Sequence, residues 1–255
     1  MLMIISPAKS IDMAKGPQLD LSSQPVFSDK ANTIANKLKD YSVADLCKLM
    51  SISTKLGQLN YGRYQEWSDA PQSKDLRQAI LAFRGDVYTG MNADSFSVDD
   101  FKFAQDHLLI LSGLYGALKP LDLIQEYRLE MGSKLSVNDN KDLYAFWSDK
   151  LTTYVNELLK KNKTLINLAS NEYSKSVKMT NLSPDTSVVT PIFKDFKNGE
   201  YKIISFFAKK ARGMMASYII KNKISDVDQL KLFDLGGYYF DDTRSNDKEF
   251  VFLRN

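Results

Sequence analysis

The chain is poor in the two residue types that most often hold metals or form cross-links. Its 255 residues include one cysteine, Cys47, so no disulfide can form within the chain. They include one histidine, His107, which excludes zinc-finger sites and metal sites built on several histidines. We expect both side chains to be packing residues, and any metal held within one chain would rest mainly on carboxylates. We predict no metal site and no cofactor.

Long apolar segments are also missing. No apolar run approaches the length of a bilayer-spanning helix, and the opening segment MLMIISPAK turns polar too early for a signal peptide. We therefore expect a cytoplasmic protein without a membrane partner. The composition, with 44% hydrophobic and 25% charged residues, is that of an ordinary globular protein, and no Pro-, Gly- or Ser-rich linker divides the chain. We predict one domain over residues 1–255.

Apolar and amphipathic segments alternate along the chain, which predicts a mixed α/β fold with a mixed β-sheet flanked by helices. The strand patterns cover residues 1–5, 108–111, 164–168, 188–196 and 201–207. The helix patterns cover residues 28–40, 43–67 with a break near Ser51, 73–83, 97–105 and 142–160. The sequence Lys197-Asn198-Gly199-Glu200 predicts a hairpin turn, because Asn-Gly tolerates the positive φ angles of a tight turn. Residues 238–253 predict a second hairpin.

Positive charge is concentrated in residues 201–223. This segment holds six basic residues and no acidic one, whereas the chain as a whole carries +3, so the other residues sum to −3. Its second half has a helical period, in which Lys209 and Arg212 point away from the apolar face. They lie beside small residues that would allow a ligand to approach the helix backbone: Gly213, Ala216 and Ser217.

The basic segment has two interpretations. A solvated amphipathic helix explains the periodicity, and an anion site explains the charge asymmetry. Because a concentrated basic field attracts phosphates, we favour the anion site, with Lys209, Lys210 and Arg212 as its binding residues.

Four apolar segments end in small polar turns, with a lysine or tyrosine close behind. The groups are Ser6 with Lys9, Ser112 with Tyr115, Ser170 with Tyr173 and Lys175, and Ser205 with Lys209. In open α/β sheets, ligands bind beyond the carboxyl ends of the strands, so turns on one edge would converge on one cleft. Helix capping explains each serine taken alone. The recurrence, with lysine in three of the four turns, favours a shared anion-binding cleft that includes Lys9 and Lys175.

Residues 42–67 carry a second nucleic-acid pattern. Ser42 and Asp45 have the spacing of a helix cap, and a second helix starts near Thr54. The spacing around Ser51-Ile52-Ser53-Thr54-Lys55 is similar to a helix-hairpin-helix, with serine where that motif usually has glycine. In that motif the hairpin amides and the second helix bind a duplex phosphate without reading bases. A plain αα-hairpin explains the same residues.

Five long motifs carry a resemblance to a known family. They are IISPAKSID at 4–12, AILAFRGDVYTG at 79–90, LSGLYGALKPLDLIQEYRLEMG at 111–132, INLASNEYSKSVK at 166–178 and ISFFAKKARGMM at 204–215. Together they resemble the YaaA family of bacterial peroxide-stress proteins over essentially the whole chain. The resemblance implies a fold peculiar to that family and a role in surviving hydrogen peroxide. It also implies sequence-independent binding of duplex or distorted DNA through a basic cleft and a helix-hairpin-helix.

The resemblance further implies association with recombination-repair proteins and an effect that keeps unincorporated iron low. DNA binding agrees with the basic segment and the hairpin pattern. Direct binding of iron agrees poorly with one cysteine and one histidine.

An enzyme acting on a nucleotide or a nucleic-acid phosphate is the alternative. The turns are dense in residue types used in catalysis, and the candidates are Lys9, Asp86, Tyr115, Arg128 and Tyr173. A structural ion pair between Arg128 and an acidic neighbour explains part of this density. An open basic groove would favour duplex binding, whereas a deep pocket with a perturbed lysine or aspartate would favour catalysis.

Overall fold

A computed structural model describes residues 1–14 and 16–255, and its elements alternate along the chain as the sequence pattern predicts. The helices are α1 Ser28–Lys39, α2 Val43–Met50, α3 Thr54–Gln65, α4 Ala79–Ala82, α5 Asp86–Met91, α6 Val98–His107, α7 Leu143–Leu159, α8 Asn171–Ser174 and α9 Ser205–Lys221. The strands are β1 Leu2–Ile5, β2 Ser10–Ile11, β3 Arg77–Gln78, β4 Phe83–Arg84, β5 Leu108–Ser112, β6 Gly116–Leu118, β7 Leu123–Ile124, β8 Thr164–Leu168, β9 Ser187–Lys197, β10 Glu200–Lys202, β11 Tyr239–Phe240 and β12 Glu249–Arg254. Short 3-10 turns lie at Ser73–Asp75, Ala93–Ser95, Met179–Asn181, Val227–Leu232, Leu235–Gly237 and Asp242–Arg244.

Eight strands form one mixed sheet in the order β11-β12-β9-β8-β1-β5-β6, with β10 paired to β9. Strand β1 lies between β8 and β5 and is parallel to both. In this register, Ile4 is the partner of Asn167 in β8 and of Leu109 in β5. All four β1 residues are buried, as expected for a central parallel strand covered on both faces. Strands β1, β5 and β8 therefore place their carboxyl ends on the same edge of the sheet. The mixed α/β class predicted from the sequence is confirmed.

Both predicted hairpins are present. Strands β9 and β10 are joined by Asn198 and Gly199, whose φ angles are 56° and 84°, and β11 pairs antiparallel with β12. The sheet combines strands from both ends of the chain, and the assignment of one domain to residues 1–255 stays a prediction. In the described ranges, 1–14 and 16–255, no helix combines the length and apolar character that crossing a bilayer requires.

Two segments differ from the predicted elements. Residues 201–207 do not form a strand, because β10 ends at Lys202 and α9 begins at Ser205. Most of the apolar side chains behind the strand prediction are exposed; Ile203 and Phe206 are each 56% exposed. Residues 73–83 are not one helix either, since a 3-10 turn, β3 and α4 divide them.

Helices α5 and α9 pack with their backbones in close approach. A Cβ on Gly213 of α9 would lie 1.8 Å from the Val87 carbonyl oxygen, and a Cβ on Gly90 of α5 would lie 2.0 Å from the Lys210 carbonyl oxygen. Ala216 and Ser217 are buried as well. The small residues of α9 therefore accommodate a neighbouring helix, and the prediction that they open the backbone to a ligand is wrong.

A buried carboxyl group joins the N-terminal segment to the loop after β6. Asp122 accepts hydrogen bonds from the Ser23 hydroxyl at 2.6 Å and from the Lys119 amide at 2.7 Å. Burial raises the pKa of Asp122 from its ordinary value to about 6, and these two hydrogen bonds only partly oppose the shift.

This shift predicts a pH dependence of stability. Because the pKa is raised in the folded state, the contribution of Asp122 is complete below about pH 4 and is lost as the pH rises through about 6. Asp122→Asn can place an amide donor toward Ser23 and a carbonyl acceptor toward Lys119. Because asparagine does not titrate, this variant should not lose stability at this site as the pH rises. Its free energy of unfolding relative to the parent should rise between pH 4 and pH 7 by on the order of 1–3 kcal/mol.

Chemical denaturation across this pH range measures the difference, with the exposed Asp139→Asn as the matched control. If the difference in free energy of unfolding between the parent and Asp122→Asn stays constant from pH 4 to pH 7, the burial argument is contradicted.

Candidate anion-binding pocket

A cavity of about 290 Å³ lies at the carboxyl ends of β1 and β8. Five segments enclose it: the turn after β1, the start of α5, the loop around Glu130, the turn after β8 and the second turn of α9. The lining residues are Ser6, Pro7, Ala8, Lys9, Ser10, Arg84, Gly85, Asp86, Val87, Glu130, Leu168, Ser170, Glu172, Tyr173, Lys209 and Arg212. This is the edge of the sheet at which the serine turns are predicted to converge.

The turns after β1 and β8 are joined directly. The Ser170 amide donates to the Ser6 hydroxyl oxygen at 2.9 Å, and the Ser6 hydroxyl donates to Ser170 Oγ at 3.2 Å. Tyr88 of α5 donates its hydroxyl to the Ser6 carbonyl oxygen at 3.2 Å. These hydrogen bonds fix the two strand ends and α5 around one space.

Two of the cations that line the pocket are paired with carboxylates. Lys9 Nζ lies 2.7 Å from Glu130 Oε2, and Arg84 lies 3.3 Å from Asp94. Arg128 approaches Glu130 from outside the pocket at 3.8 Å. The charges of Lys9 and Arg84 are therefore largely balanced within the protein.

Arg212 and Lys209 differ from these cations. They lie three residues apart on α9, and neither side chain makes an ion pair or hydrogen bond with any residue in 1–14 or 16–255. Arg212 is half-buried, and its burial lowers the pKa of the guanidinium, although arginine stays charged in proteins. A desolvated cation without a counter-charge is stabilised by a bound anion. The pocket thus contains two cationic side chains, Lys209 and Arg212, that can bind an anion.

The acidic and phenolic groups of the pocket have distinct settings. Glu172 accepts a hydrogen bond from the Gly132 amide at 2.9 Å, and within the described ranges the Asp86 carboxylate has no partner. Burial, with the nearby charge of Glu172, raises the pKa of the Tyr173 hydroxyl. Tyr173 therefore stays protonated at neutral pH and can act there as a hydrogen-bond donor.

The structure brings together five of the predicted site residues: Lys9, Asp86, Tyr173, Lys209 and Arg212. Lys210 and Lys175 are exposed and lie outside the lining, as does Ser205, which begins α9 instead of ending a strand. Serines that follow buried parallel strands reach the pocket after β1 and β8, and the turn after β5 is the exception.

In the third serine turn, the Ser112 hydroxyl is used by hydrogen bonds within the turn and with Tyr127. Ser112 Oγ accepts hydrogen bonds from the amides of Leu114 at 3.2 Å and Tyr115 at 2.9 Å and lies 2.6 Å from the Tyr127 hydroxyl. Tyr115 is buried, and its hydroxyl accepts from the Gln125 amide at 3.0 Å. The capping interpretation holds for this turn, and the prediction that Ser112 and Tyr115 join the cleft is wrong.

Arg84, Glu130 and Glu172 reach the pocket without having been predicted as binding residues. Arg84 precedes the Gly85 turn, where φ is 145°, and its short strand β4 pairs with β2 just after the β1 turn. The motif AFRGD marks this turn in the sequence, but its pairing with residues 10–11 is a long-range contact that periodicity does not reveal.

The residues of the predicted hairpin connect α2 to α3, and each of these two helices has a serine cap at its start. Ser42 and Asp45 form a reciprocal cap at the start of α2, and Ser51 ends that helix in the left-handed region with φ 52°. The Ser51 and Ile52 amides both donate to the Cys47 carbonyl oxygen. Ser53 starts α3, and its hydroxyl accepts from the Leu56 amide at 3.5 Å. An amide grip on phosphate would therefore rest on Ser53, Thr54 and Lys55, since Ser51 and Ile52 are used internally.

The hairpin lies beside the pocket wall. Ser51 lines an open cavity of about 510 Å³ together with Gly132 and Lys134. Gly132 in turn donates to Glu172 of the anion-binding pocket. No group of three metal-ligating side chains occurs in the part of the chain that the structure describes.

This architecture combines a mixed α/β sheet with a pocket at its parallel strand ends, in which Arg212 has no partner among residues 1–14 and 16–255. It defines an α/β protein with a candidate anion site. Residues 1–244 match a family model described as "Peroxide stress protein YaaA". The chain is 54% identical over 257 residues to a UPF0246 protein of Saccharophagus degradans, and 52% identical over 256 residues to one of Teredinibacter turnerae. Each alignment covers 100% of this chain and 99% of the relative. The chain belongs to the YaaA family, which confirms the resemblance seen in the sequence.

Proposed function

We propose that this protein binds DNA through the phosphate backbone, independently of sequence, as a member of the peroxide stress response. The observation that carries the proposal is Arg212, a half-buried cation beside Lys209 in a pocket, with no carboxylate partner in residues 1–14 and 16–255. Phosphate is one of the anions whose geometry a guanidinium matches with paired hydrogen bonds.

The other proposed DNA contacts extend outward from this pocket. Lys9 lies at its rim with a 61% exposed side chain, and Lys175 and Lys210 are exposed. In the hairpin at residues 51–55, Ser51 borders the same cavity as Gly132, and Lys55 is exposed. Exposed lysines interact with a passing phosphate backbone as point charges, which gives affinity without base readout.

We further propose that binding protects DNA during exposure to hydrogen peroxide, in association with recombination repair, and limits damage by unincorporated iron. Family membership supports this setting. The proposed contacts are to phosphate, so the protection would extend to any sequence.

The test is binding to unrelated short duplexes across a salt series. We expect the logarithm of the association constant to fall linearly with the logarithm of salt concentration, by about 0.9 for each phosphate contact, and to do so equally for each sequence. Absent binding at low salt, or binding that salt does not weaken, would contradict the proposal.

The hairpin gives a separate prediction at Ser53. This residue has φ −66°, which proline adopts without strain, so Ser53→Pro removes the amide hydrogen and the Oγ cap together. Ser53→Ala removes only the cap, at a stability cost of about 1 kcal/mol. If the Ser53 amide binds phosphate, Ser53→Pro should bind duplexes less tightly than Ser53→Ala by at least about 10-fold, the lower end of the range for one lost hydrogen bond to a charged group.

Ser53→Gly serves as the third arm, because it keeps the amide and frees the backbone. It should bind DNA at least as well as Ser53→Ala. Equal affinities for the folded alanine and proline variants would show that residues 51–55 form a structural turn.

A second candidate function is an enzyme acting on a nucleotide or a nucleic-acid phosphate in the same pocket. The gathering of Asp86, Tyr173 and the Lys9–Glu130 pair around one cavity of about 290 Å³ favours it, since binding along a duplex does not require a pocket. The exposure of Lys9 places this amine at the mouth of the cavity, in water, and not in a desolvated interior.

Lys9→Arg tests the enzyme candidate. Arginine keeps the charge and the pairing with Glu130, so affinity for DNA should stay within about twofold of the parent. If Lys9 acts as a compact donor to a reacting group, the variant should fail to restore peroxide resistance to cells that lack the protein. The comparison requires equal expression and an unchanged melting temperature, and full rescue would exclude the catalytic role of Lys9.

A further inference from the structure

We propose that the pocket binds a phosphate monoester, the phosphate that ends a nucleotide, in preference to the internal phosphodiesters of a DNA backbone. The inference rests on the proposed function only in taking this site as phosphate-binding. Two sources share the chemistry: a free nucleoside monophosphate and the phosphorylated end of a DNA strand.

The shape of the pocket favours a terminal group. Its walls come from five separate segments, and Arg212 lies half-buried on the wall formed by α9. An internal phosphodiester carries a sugar on each side and lies along a surface, where exposed lysines such as Lys210 and Lys175 can meet it. An internal phosphodiester can approach Arg212 only from the mouth of the cavity, whereas a group that ends a chain can project into the volume of about 290 Å³ and contact the guanidinium more fully.

The donors of the pocket match a phosphate with several free oxygens. Arg212 and Lys209 have no acceptor in residues 1–14 and 16–255. Ser170 accepts its hydrogen bond from Ser6, so its own hydroxyl hydrogen has no acceptor in the same described ranges. A monoester carries about −1.5 to −2 charges and three terminal oxygens, whereas a diester has one charge and two such oxygens. Three unused donors, two of them cationic, fit the monoester better.

The acceptors of the pocket indicate what is attached to the phosphate. The Asp86 carboxylate lines the same cavity and has no hydrogen-bond partner elsewhere in the described chain. A carboxylate that faces a phosphate site is stabilised by a hydroxyl donor, as carboxylates are when they bind the ribose of a dinucleotide. A ligand with a phosphate at one end and a sugar hydroxyl at the other satisfies both sets of groups.

The experiment compares ligands by calorimetry on the full chain. Deoxyadenosine monophosphate should bind, and deoxyadenosine and inorganic phosphate should bind at least about tenfold more weakly, because each lacks one half of the ligand. Arg212→Met keeps a side chain of similar length and removes the charge. It should weaken binding of the monophosphate by about 10–150-fold, the range for a lost charged hydrogen bond.

Lys161→Met is the matched control, since it removes one positive charge next to the amino end of β8, at the opposite edge of the sheet. It should leave nucleotide affinity unchanged. Arg212→Lys provides a second variant if the methionine variant does not fold, and should give an intermediate loss because lysine cannot bind bidentately.

A second arm separates the two sources. Duplexes with 5′-phosphate, 5′-hydroxyl and covalently closed ends are compared at equal length and salt. If the 5′-phosphorylated duplex binds more tightly than both the 5′-hydroxyl and the closed duplex, the ligand is the phosphorylated end of a DNA strand. If all three bind equally and the monophosphate binds, the ligand is the free nucleotide.

The outcomes separate this inference from the proposed function. If closed and open duplexes bind equally and the monophosphate does not bind, the monoester pocket is wrong and backbone binding stands. If the monophosphate binds and no duplex does, the pocket stands and the DNA-binding function is wrong. If neither binds, both are wrong.

Discussion

Simultaneous replacement of Lys209, Lys210 and Arg212 by alanine should weaken binding to unrelated duplexes equally and lower the magnitude of the log–log salt slope by up to about 3. The structure gives each residue a position consistent with a phosphate contact. Lys209 and Arg212 line the pocket without counter-charges in the described chain, and Lys210 is exposed on the same helix. Because each contact releases counterions from DNA, its loss changes the salt dependence as well as the affinity.

The triple change also lowers the net charge of the protein, so a control must do the same elsewhere. Lys160, Lys161 and Lys163 lie next to the amino end of β8, at the edge of the sheet opposite the pocket. Their joint replacement by alanine removes the same formal charge and should leave the slope nearly unchanged. A slope that responds equally to both triple variants would show that net charge, and not this face of α9, determines binding.

Gly213→Ala should produce the largest loss of stability among single changes near the pocket. The added Cβ would lie 1.8 Å from the Val87 carbonyl oxygen and 2.7 Å from the Met91 amide nitrogen, both of which belong to the backbone of α5. Backbone atoms cannot rotate away, so the two helices must separate. We expect a loss of at least about 3 kcal/mol in the free energy of unfolding, or roughly 6–12 °C in Tm.

Gly62→Ala is the matched control for this prediction. Gly62 lies within α3, and a Cβ there would meet no atom within 4 Å. Because alanine has the higher helix propensity, this change should stabilise the protein by up to about 1 kcal/mol. Thermal denaturation measures both variants. Similar melting temperatures for Gly213→Ala and the parent would contradict the close packing of α5 against α9.

The parallel centre of the sheet could be predicted from the sequence because its strands are buried on both faces. Strands β1, β5 and β8 are short, nearly continuous apolar runs followed by polar turns. That pattern is typical of central parallel strands that are buried on both faces. The convergence of Ser6 and Ser170 follows from the parallel arrangement alone. Ser112 has the same sequence pattern, but its hydroxyl is used by its own turn and by Tyr127.

The errors arise where exposure and long-range packing override local pattern. The run Ile203 to Phe207 is apolar enough for a buried strand, yet much of it is exposed at the start of α9. The sequence around Gly213 does not indicate whether a neighbouring helix or a ligand packs against this glycine. That distinction depends on Val87, which lies more than a hundred residues earlier in the chain.

The most direct test of the central claim is the NMR signal of the Arg212 side-chain Nε–Hε group, assigned with Arg212→Lys, during titration with a duplex DNA. A guanidinium that exchanges its solvent contacts for a phosphate should show a shifted Nε–Hε signal and slower hydrogen exchange with water. We expect this signal to change in proportion to the bound fraction of the protein. DNA binding that saturates while the Arg212 signal stays in place would contradict the assignment of this pocket as the phosphate site.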